Sequence, residues 1–253
     1  MKTPLDVEVL GSGPALMMVH GAGGSPRDNF PFLDELASTF TVIAPSLPGV
    51  GGSPVGDEPL DAVAIADQLA AVLDDLGIAT AAVCGYSMGT TIATHLAAAH
   101  PDRVSAFALC AGFATPRPSM LSLLELWDGL LADGTEEQNG RFILSTAFMP
   151  ETIDKRGPRW VGLAAQAFGE SLPAGTRAHL DLIRRVDSAD ALRSTTQPLL
   201  VVVPEHDGLV HPGHSADLLE IRPDAIRVGI EASHALWHEA PKEWLAALTD
   251  FFV

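Results

Sequence analysis

The sequence predicts an α/β fold in which a mostly parallel, doubly wound sheet carries helices on both of its faces. Short runs of apolar residues alternate along the chain with segments in which apolar residues recur at helical spacing. The apolar runs are continuous, which is typical of strands buried on both faces of a parallel sheet. The chain has 253 residues, of which 47% are hydrophobic, and this is enough for one domain with a large core and an insertion.

Seven segments are predicted as strands because they are short and apolar. In chain order they read DVEVL, ALMMVH, TVIAP, AAVCG, VSAFALC, PLLVVV and AIRVGI. Helices are predicted between and after them, at NFPFLDELAS, LDAVAIADQLAAVLDDLG, the stretch that follows Ser87, HSADLLE and PKEWLAALTDFF. Each crossover that joins two parallel strands is expected to be right-handed.

The alternation of strands and helices is interrupted between about Thr115 and Thr196. This stretch contains amphipathic segments such as SMLSLLELWDGLLADG and RAHLDLIRRV, and no predicted strand. We therefore expect a core formed by residues 1–114 and 197–253, and a helical cap formed by residues 115–196. The cap is expected to cover the carboxyl edge of the sheet, where ligands bind in such folds. Ordinary extra helices packed on the core are the alternative.

The octapeptide CGYSMGTT places Ser87 between two glycines, at the junction of a predicted strand and a predicted helix. Gly85 and Gly89 would let neighbouring backbone approach the junction without a clash. The tight turn would lift the Ser87 hydroxyl clear of the sheet. It would also direct the Met88 N–H, at a helix N-terminus, toward an oxyanion formed beside the serine. The stretch therefore indicates a nucleophilic serine, with a serine in an ordinary glycine-bounded turn as the alternative.

A serine nucleophile requires a base and an acid that orients the base. His234 directly follows the last predicted strand, where functional side chains of a parallel sheet gather, and is predicted as the base. His238, four residues later, is interpreted as a structural or surface histidine. Asp207 follows the strand PLLVVV and is predicted as the acid, with Glu205 as the alternative.

A second backbone N–H is needed to bind the oxyanion. The glycine-rich loop HGAGG follows the second predicted strand and could bring the Ala22 N–H beside Ser87, opposite the Met88 N–H. We predict that these two amides form the oxyanion hole. His20 is interpreted as a residue that braces the loop by hydrogen bonds.

Taken together, five stretches resemble the α/β-hydrolase superfamily: HGAGG, LPGVGGS at Leu47 to Ser53, GYSMG, PEHDGLV and SHALWHEAP. They span nearly the whole chain, and the order of nucleophile, acid and base is that of the family. The resemblance implies a Ser87/His234/Asp207 catalytic triad and a cap over the pocket. The chain departs from the family at Ser46, where aspartate is usual, and at Ser233, where glycine is usual. Neither position does chemistry, although the rigidity of the loop near Ser46 would differ.

The serine at the turn also indicates the class of reaction. Related epoxide hydrolases and dehalogenases carry aspartate there, whereas serine suits acyl transfer. GYSMG is similar to the corresponding turn of small esterases and enol-lactonases, and HGAGGSPRDNF is somewhat similar to the loop of C–C hydrolases. We therefore expect hydrolysis of an ester or lactone first, and C–C cleavage of a diketone second. A lyase, a cyclase or a ligand-binding protein on the same fold is the alternative from a different class.

The predicted pocket wall is mostly apolar and would suit a medium-sized substrate, including one that contains a ring. The residues expected to line it are Tyr86, Trp127, Phe148, Met149, Trp160, Leu209, Leu236 and Trp237.

The composition limits the partners of the chain. Its formal net charge of −17 argues against nucleic acids and anionic membrane surfaces, and no run of 18 apolar residues suggests a membrane span. The N-terminal segment MKTPLDVEVL lacks the apolar stretch that is typical of a signal peptide. Cys84 and Cys110 are interpreted as buried thiols in a reducing compartment. We expect a cytoplasmic enzyme with a small-molecule substrate and no metal or organic cofactor, and the sequence leaves monomer or homodimer open.

Overall fold

The computed structural model describes residues 5–253, so the first four residues of the predicted core lie outside the described part of the chain. All seven predicted strands are present in this part, each within a residue or two of its expected ends. They are β1 (Val7–Leu10), β2 (Ala15–Val19), β3 (Thr41–Pro45), β4 (Ala81–Tyr86), β5 (Val104–Cys110), β6 (Leu199–Pro204) and β7 (Ile226–Ile230).

The seven strands form one sheet in the order β1-β3-β2-β4-β5-β6-β7. β1 pairs with β3 in the antiparallel direction, and every other pair is parallel. The prediction of a mostly parallel sheet is therefore confirmed. Because parallel strands end at the same edge, the loops that follow β2, β4, β6 and β7 come together there.

Helices cover both faces of the sheet. They include α1 (Pro26–Asn29), α2 (Leu33–Leu36), α3 (Ala62–Asp75), α4 (Met88–Ala99), α10 (Pro212–Ile221), α11 (Leu236–Glu239) and α12 (Pro241–Phe252). The side chains of β2 show how the two layers of core are divided. Met17 and Val19 belong to the buried cluster on the side of α3 and α4, whereas Leu16 and Met18 belong to the cluster that contains Trp244 of α12.

The segment NFPFLDELAS does not form the single helix that the sequence predicts. The structure has two short helices instead, α1 and α2, separated by Phe30, Pro31 and Phe32. A proline disfavours helical backbone at the residue before it, and Phe30 has φ −123° and ψ 77°, outside the helical region. The break at Pro31 thus has a local cause that the apolar periodicity hides.

Residues 115–196, the predicted cap, contain five helices and no strand. They are α5 (Pro118–Asp133), α6 (Glu136–Ala147), α7 (Pro150–Glu170), α8 (Thr176–Arg185) and α9 (Ala189–Ser194), and they lie between β5 and β6 in the chain. α7 is kinked at Gly157, which has φ 75° and precedes Pro158. Of all the helices formed by residues 5–253, none combines the length and the apolar character that crossing a bilayer would require.

Candidate active site

Ser87 occupies a strained turn between the end of β4 and the start of α4. Its φ of 52° and ψ of −121° lie in a region that residues other than glycine rarely adopt. The strain persists because the neighbouring backbone is packed too closely for any relaxed alternative. A Cβ on Gly89 would lie 2.2 Å from the carbonyl oxygen of Val19, and one on Gly85 would lie 2.5 Å from the carbonyl oxygen of Gly89. Both glycines are therefore required by close approach.

Hydrogen bonds connect the three residues predicted as nucleophile, base and acid. Nε2 of His234 lies 3.1 Å from Oγ of Ser87, and Nδ1 of His234 lies 2.7 Å from Oδ2 of Asp207. With Nδ1–H donated to the carboxylate, Nε2 is free to accept the proton of the serine hydroxyl. All three side chains are buried, and this arrangement can activate a hydroxyl for attack on a carbonyl carbon.

The carboxylate of Asp207 is fixed by the backbone of its own turn. Oδ1 accepts hydrogen bonds from the N–H groups of Leu209, at 2.9 Å, and Val210, at 2.7 Å. Glu205, the alternative acid, is instead ion-paired with Arg227 in a partly exposed position. Geometry therefore favours Asp207 over Glu205 as the partner of His234.

The loop after β2 lies directly beside the serine. A Cβ on Gly21 would be 3.0 Å from Cβ of Ser87, and the Gly21 N–H donates a 2.9 Å hydrogen bond to Oδ1 of Asn29. Within residues 5–253, the N–H groups of Ala22 and Met88 have no hydrogen-bond partner. Met88 is the first residue of α4, where the helix dipole favours a negative charge. Both amides can therefore receive an anionic oxygen.

His20 joins this loop to the loop after β3. Its Nδ1–H donates to the carbonyl oxygen of Gly21 at 2.8 Å, and its Nε2 accepts from the N–H of Leu47 at 2.9 Å. Burial lowers the pKa of His20 to about 3, so the ring is neutral at neutral pH. The side chain acts as the brace that the sequence suggests.

The backbone around His234 is held by two side chains that the sequence did not single out for this task. The Tyr86 hydroxyl donates a 2.6 Å hydrogen bond to the carbonyl oxygen of His234, and burial raises the pKa of Tyr86 well above its usual value. On the other side, Oε2 of Glu239 accepts from the N–H of Ser233 at 2.7 Å. The backbone that carries the imidazole is thus fixed by hydrogen bonds at Ser233 and at His234.

The same loop is tied to the helical segment. The N–H of Ala235 donates to the carbonyl oxygen of Ala147, the last residue of α6, at 2.7 Å. Oε1 of Glu239 accepts from the N–H of Met149, which precedes α7, at 2.9 Å. Glu239 therefore links the His234 loop to the junction of α6 and α7.

A cavity of about 340 Å³ lies over Ser87, between the sheet edge and the helices of residues 118–185. Four of the eight residues predicted for its wall line it, namely Tyr86, Trp127, Leu209 and Trp237. Trp127 stacks on Phe142 with ring centroids 5.3 Å apart. The wall is mostly apolar, as expected.

The other four predicted wall residues do not line the cavity. Phe148 is packed behind the wall against Trp160 and Trp237, and Trp160 also lies under the guanidinium of Arg156. Leu236 is fully buried in the core, and Met149 contributes its backbone at the start of α7. Phe148 and Met149 lie in the link between α6 and α7, and the sequence does not determine which way the side chains of such a link face or how the helices that carry Trp160 and Leu236 are rotated.

Several residues of the wall were not predicted from the sequence. They are mainly apolar side chains of the helical segment, namely Met120, Leu124, Phe142, Ile143, Phe168 and Ile183. One signal could have revealed part of this set, because Met120, Leu124 and Trp127 follow the spacing i, i+4, i+7 of a single helical face.

Comparisons with known proteins agree with this architecture. The family model described as alpha/beta hydrolase fold matches residues 14–241. A pimeloyl-[acyl-carrier protein] methyl ester esterase of Chromobacterium violaceum is 30% identical over 259 residues, which cover 97% of each chain. A pyrrolizixenacetamide deacetylase of Xenorhabdus hominickii is 27% identical over 246 residues, which cover 96% of this chain and 92% of that one.

Solved structures show the same fold. An enol-lactonase from Burkholderia xenovorans superposes with a TM-score of 0.86 at 22% identity, over 98% of this chain and 95% of that one. A putative non-heme bromoperoxidase from Mycobacterium tuberculosis gives a TM-score of 0.86 at 23% identity, over 100% and 96% of the two chains. The sequence match and the sheet topology lead to one conclusion: this chain belongs to the α/β-hydrolase family.

Proposed function

We propose that this protein is a serine hydrolase that cleaves the ester or lactone bond of a medium-sized, largely apolar substrate through an acyl-enzyme. The observation that carries the proposal is the chain of hydrogen bonds from Asp207 through His234 to Ser87, which ends at the floor of an apolar cavity. The names of the relatives, an esterase, a deacetylase and an enol-lactonase, support the same class of reaction.

In the first step, Oγ of Ser87 attacks the carbonyl carbon of the substrate while Nε2 of His234 accepts the hydroxyl proton. Asp207 holds the imidazole in the required tautomer and stabilises the imidazolium. The negative charge on the carbonyl oxygen is received by the N–H groups of Ala22 and Met88, which have no competing partner among residues 5–253. His234 then protonates the leaving alcohol, and the acyl group stays on Ser87.

In the second step, His234 accepts a proton from water as the water attacks the acyl-enzyme. The tetrahedral intermediate is stabilised by the same two N–H groups, and its collapse releases the acid and restores the Ser87 hydroxyl. For a lactone, the alcohol and the acid are parts of one product. Apart from the water of the second step, both steps use side chains and amides of this chain.

The helices of residues 115–196 act as the cap in this proposal and decide which substrates fit. The support is that most of the apolar wall comes from α5, α6, α7 and α8. The cap would close an apolar chamber over the polar sheet edge, where exclusion of water strengthens the interactions of the developing charge. A cytoplasmic location stays a prediction from the sequence.

The experiment combines a covalent probe with a panel of substrates. A fluorophosphonate should label the wild-type protein at Ser87 and leave the Ser87→Ala variant unlabelled, because only an activated hydroxyl reacts. p-Nitrophenyl esters and lactones should be hydrolysed, and thioesters and diketones of similar size should be slower. Labelling at a different serine, or faster cleavage of a diketone than of every ester and lactone, would contradict the proposal.

A further inference from the structure

Asn29 is a polar residue of the cavity wall that takes no part in the proposed reaction steps. It is the last residue of α1, is 7% exposed and lines the cavity. Its Oδ1 accepts the 2.9 Å hydrogen bond from the Gly21 N–H. This bond fixes the orientation of the amide, because only the oxygen end can accept from a backbone N–H.

The Nδ2 end of the same amide is left with two N–H groups and no acceptor within residues 5–253. A Cβ on Gly24 would lie only 2.7 Å from Nδ2, so a larger residue at this position would collide with the amide. Asn29 is 7% exposed and lines the cavity, so these N–H groups are available to an acceptor atom of a bound ligand.

The amide lies close to the reacting atoms. The Asn29 side chain accepts a hydrogen bond from the N–H of Gly21. A Cβ added to Gly21 would lie only 3.0 Å from Cβ of Ser87. One residue of the loop thus separates the Asn29 side chain from the nucleophile. A substrate atom that reaches Nδ2 must lie within a few bonds of the carbonyl group under attack.

The other polar groups of the wall indicate which kind of atom this is. The hydroxyl of Thr146 already donates to the carbonyl oxygen of Phe142 at 2.8 Å, and the indole N–H of Trp127, although unpaired in the described residues, is buried out of reach of the cavity. No lysine or arginine among residues 5–253 lines the cavity, and Asp28 does. The Asn29 amide is thus an unpaired donor without a cation beside it, which favours a neutral acceptor oxygen over a carboxylate.

We infer that Asn29 binds an uncharged oxygen of the substrate through Nδ2–H. The preferred substrate is then an ester or lactone with a second oxygen, an ether or a carbonyl, within a few bonds of the scissile carbonyl. This inference rests on the proposed function and assigns a specificity role to a residue outside the triad. A site built to hydrogen-bond a substrate group discriminates strongly against analogues that lack it.

The test uses two pairs of esters that differ in a single atom. p-Nitrophenyl 3-methoxypropanoate is compared with p-nitrophenyl pentanoate, and the methoxyacetate with the butanoate, so that an ether oxygen replaces a methylene group at two positions. The ratio of kcat/KM for the oxygen and methylene members is measured in wild type and in Asn29→Asp. Aspartate keeps an acceptor for the Gly21 N–H but has no N–H to offer. The ratio should fall by about tenfold for at least one pair.

Intrinsic reactivity differs between the members of a pair, but it is the same for both proteins and cancels in the comparison. Thr146→Val is the matched control, because it removes a hydroxyl of the wall that is already paired, and the ratio should stay within about twofold of wild type. An unchanged ratio in Asn29→Asp, with the esters still hydrolysed, would overturn this inference alone. Failure of the wild type to hydrolyse any ester or lactone would overturn the proposed function and this inference with it.

A second measurement avoids the variant in case Asn29→Asp does not fold. Two trifluoromethyl ketones that differ by the same ether-for-methylene change are compared as inhibitors of the wild-type enzyme. If Nδ2–H donates to the ether oxygen, the ether compound should inhibit at least as strongly as its methylene analogue. A wall without a donor would bind the methylene compound about tenfold or more tightly, since it is the more apolar of the two, and that result would overturn the inference.

Discussion

The sheet edge around Ser87 and the helices of residues 118–185 enclose one cavity, but different interactions hold them in place. At the sheet edge, buried polar side chains bind backbone groups, as His20 does at Gly21 and Asp207 at Val210. In the helical segment, the wall is formed largely by apolar packing such as the Trp127–Phe142 stack. Hydrogen bonds fix position and direction, whereas apolar packing fixes mainly volume. The first region is therefore suited to chemistry and the second to the choice of substrate.

The largest effect is expected from Ser87→Ala, which removes only the attacking oxygen. We expect kcat to fall by about 10⁴- to 10⁶-fold with little change in melting temperature, because the backbone strain at this position is the same for alanine. Steady-state kinetics and calorimetry on the purified variant measure the two quantities. A variant that keeps a rate within tenfold of wild type would show that the chemistry lies elsewhere.

Asp207→Asn should have the next largest effect. The amide can donate to Nδ1 of His234 and so favour the wrong tautomer, which lowers kcat by about 10⁴-fold in comparable triads. Glu205→Gln is the matched control, because Glu205 is ion-paired with Arg227 near the surface and should leave kcat within a few-fold of wild type. If Glu205→Gln proved the more damaging change, the acid would have to be reassigned.

The two regions also differ in how far the sequence predicted them. All seven strands and the loops that bring Ser87, Asp207 and His234 together could be predicted, because continuous apolar runs mark buried parallel strands and these three residues closely follow strand ends. A short motif such as GYSMG carries its geometry with it, since close approach at Gly85 and Gly89 leaves one way to make the turn. Local chemistry thus determines most of the sheet edge.

The cavity wall could be predicted only in part. Trp127 and Phe148 are both large, apolar and buried in the helical segment, yet Trp127 faces the cavity and Phe148 lies behind it. The difference depends on how α5, α6 and α7 are rotated against each other, which contacts distant in sequence decide. The hydrogen bonds of Glu239 to the backbone at Ser233 and Met149 are equally non-local, and no sequence pattern indicates them.

A pH titration of stability tests whether buried polar groups hold the sheet edge. Burial lowers the pKa of His20 from 6.5 to about 3, so the folded protein binds this proton less readily than the unfolded chain. The stabilisation is complete above pH 6.5 and is lost as the pH falls toward 3. Between pH 7 and pH 4.5, His20 alone should lower the free energy of unfolding by about 2.5 kcal/mol.

Urea unfolding at both pH values, on wild type and His20→Gln, isolates this contribution from the carboxylates that titrate in the same range. Wild type should lose more stability on acidification than the variant does. His206→Gln is the control, because His206 is exposed and pairs with Glu231, and its acid sensitivity should resemble that of wild type. Equal losses in wild type and His20→Gln would mean that a charged His20 is tolerated at the sheet edge.

A pair of tryptophans tests the helical segment. Trp127 lines the cavity and Trp160 lies behind it, so only Trp127→Ala should alter substrate selectivity. We expect the ratio of kcat/KM for a long and a short acyl ester to change by about 10- to 100-fold in Trp127→Ala. Trp160→Ala should leave this ratio within about threefold of wild type. Both variants should lower the melting temperature, because each removes a large packed ring.

For each variant, the change in the kcat/KM ratio is compared with the change in melting temperature. The comparison distinguishes a tryptophan of the pocket wall from a tryptophan of the core. A large change of selectivity in Trp160→Ala would mean that Trp160 and the Phe148 ring packed against it contact the substrate. Unchanged selectivity in Trp127→Ala, together with a large loss of stability, would mean that the cap holds the fold together and does not choose the substrate.

The smallest effect is expected at Glu239, where the two regions are joined. Its two carboxylate oxygens accept from Ser233, which precedes the proposed base His234, and from Met149, at the start of α7. Glutamine has one acceptor oxygen, so Glu239→Gln can keep only one of the two bonds. The loss of one such hydrogen bond corresponds to about 1 kcal/mol, and we expect kcat to fall about fivefold if the His234 loop is the side released.

Glu243→Gln is the matched control, because Glu243 is exposed on α12 and the same change of charge there should leave kcat unaltered. Whether kcat or the preference among acyl chains changes then shows which of the two hydrogen bonds glutamine keeps. A lower kcat with unchanged preference among acyl chains would mean that the Ser233 bond is lost and that the base is displaced. Altered preference with normal kcat would mean that the Met149 bond is lost and that the α6–α7 junction has moved. Wild-type values for both would show that Ala147 and Tyr86 hold the His234 loop without help from Glu239.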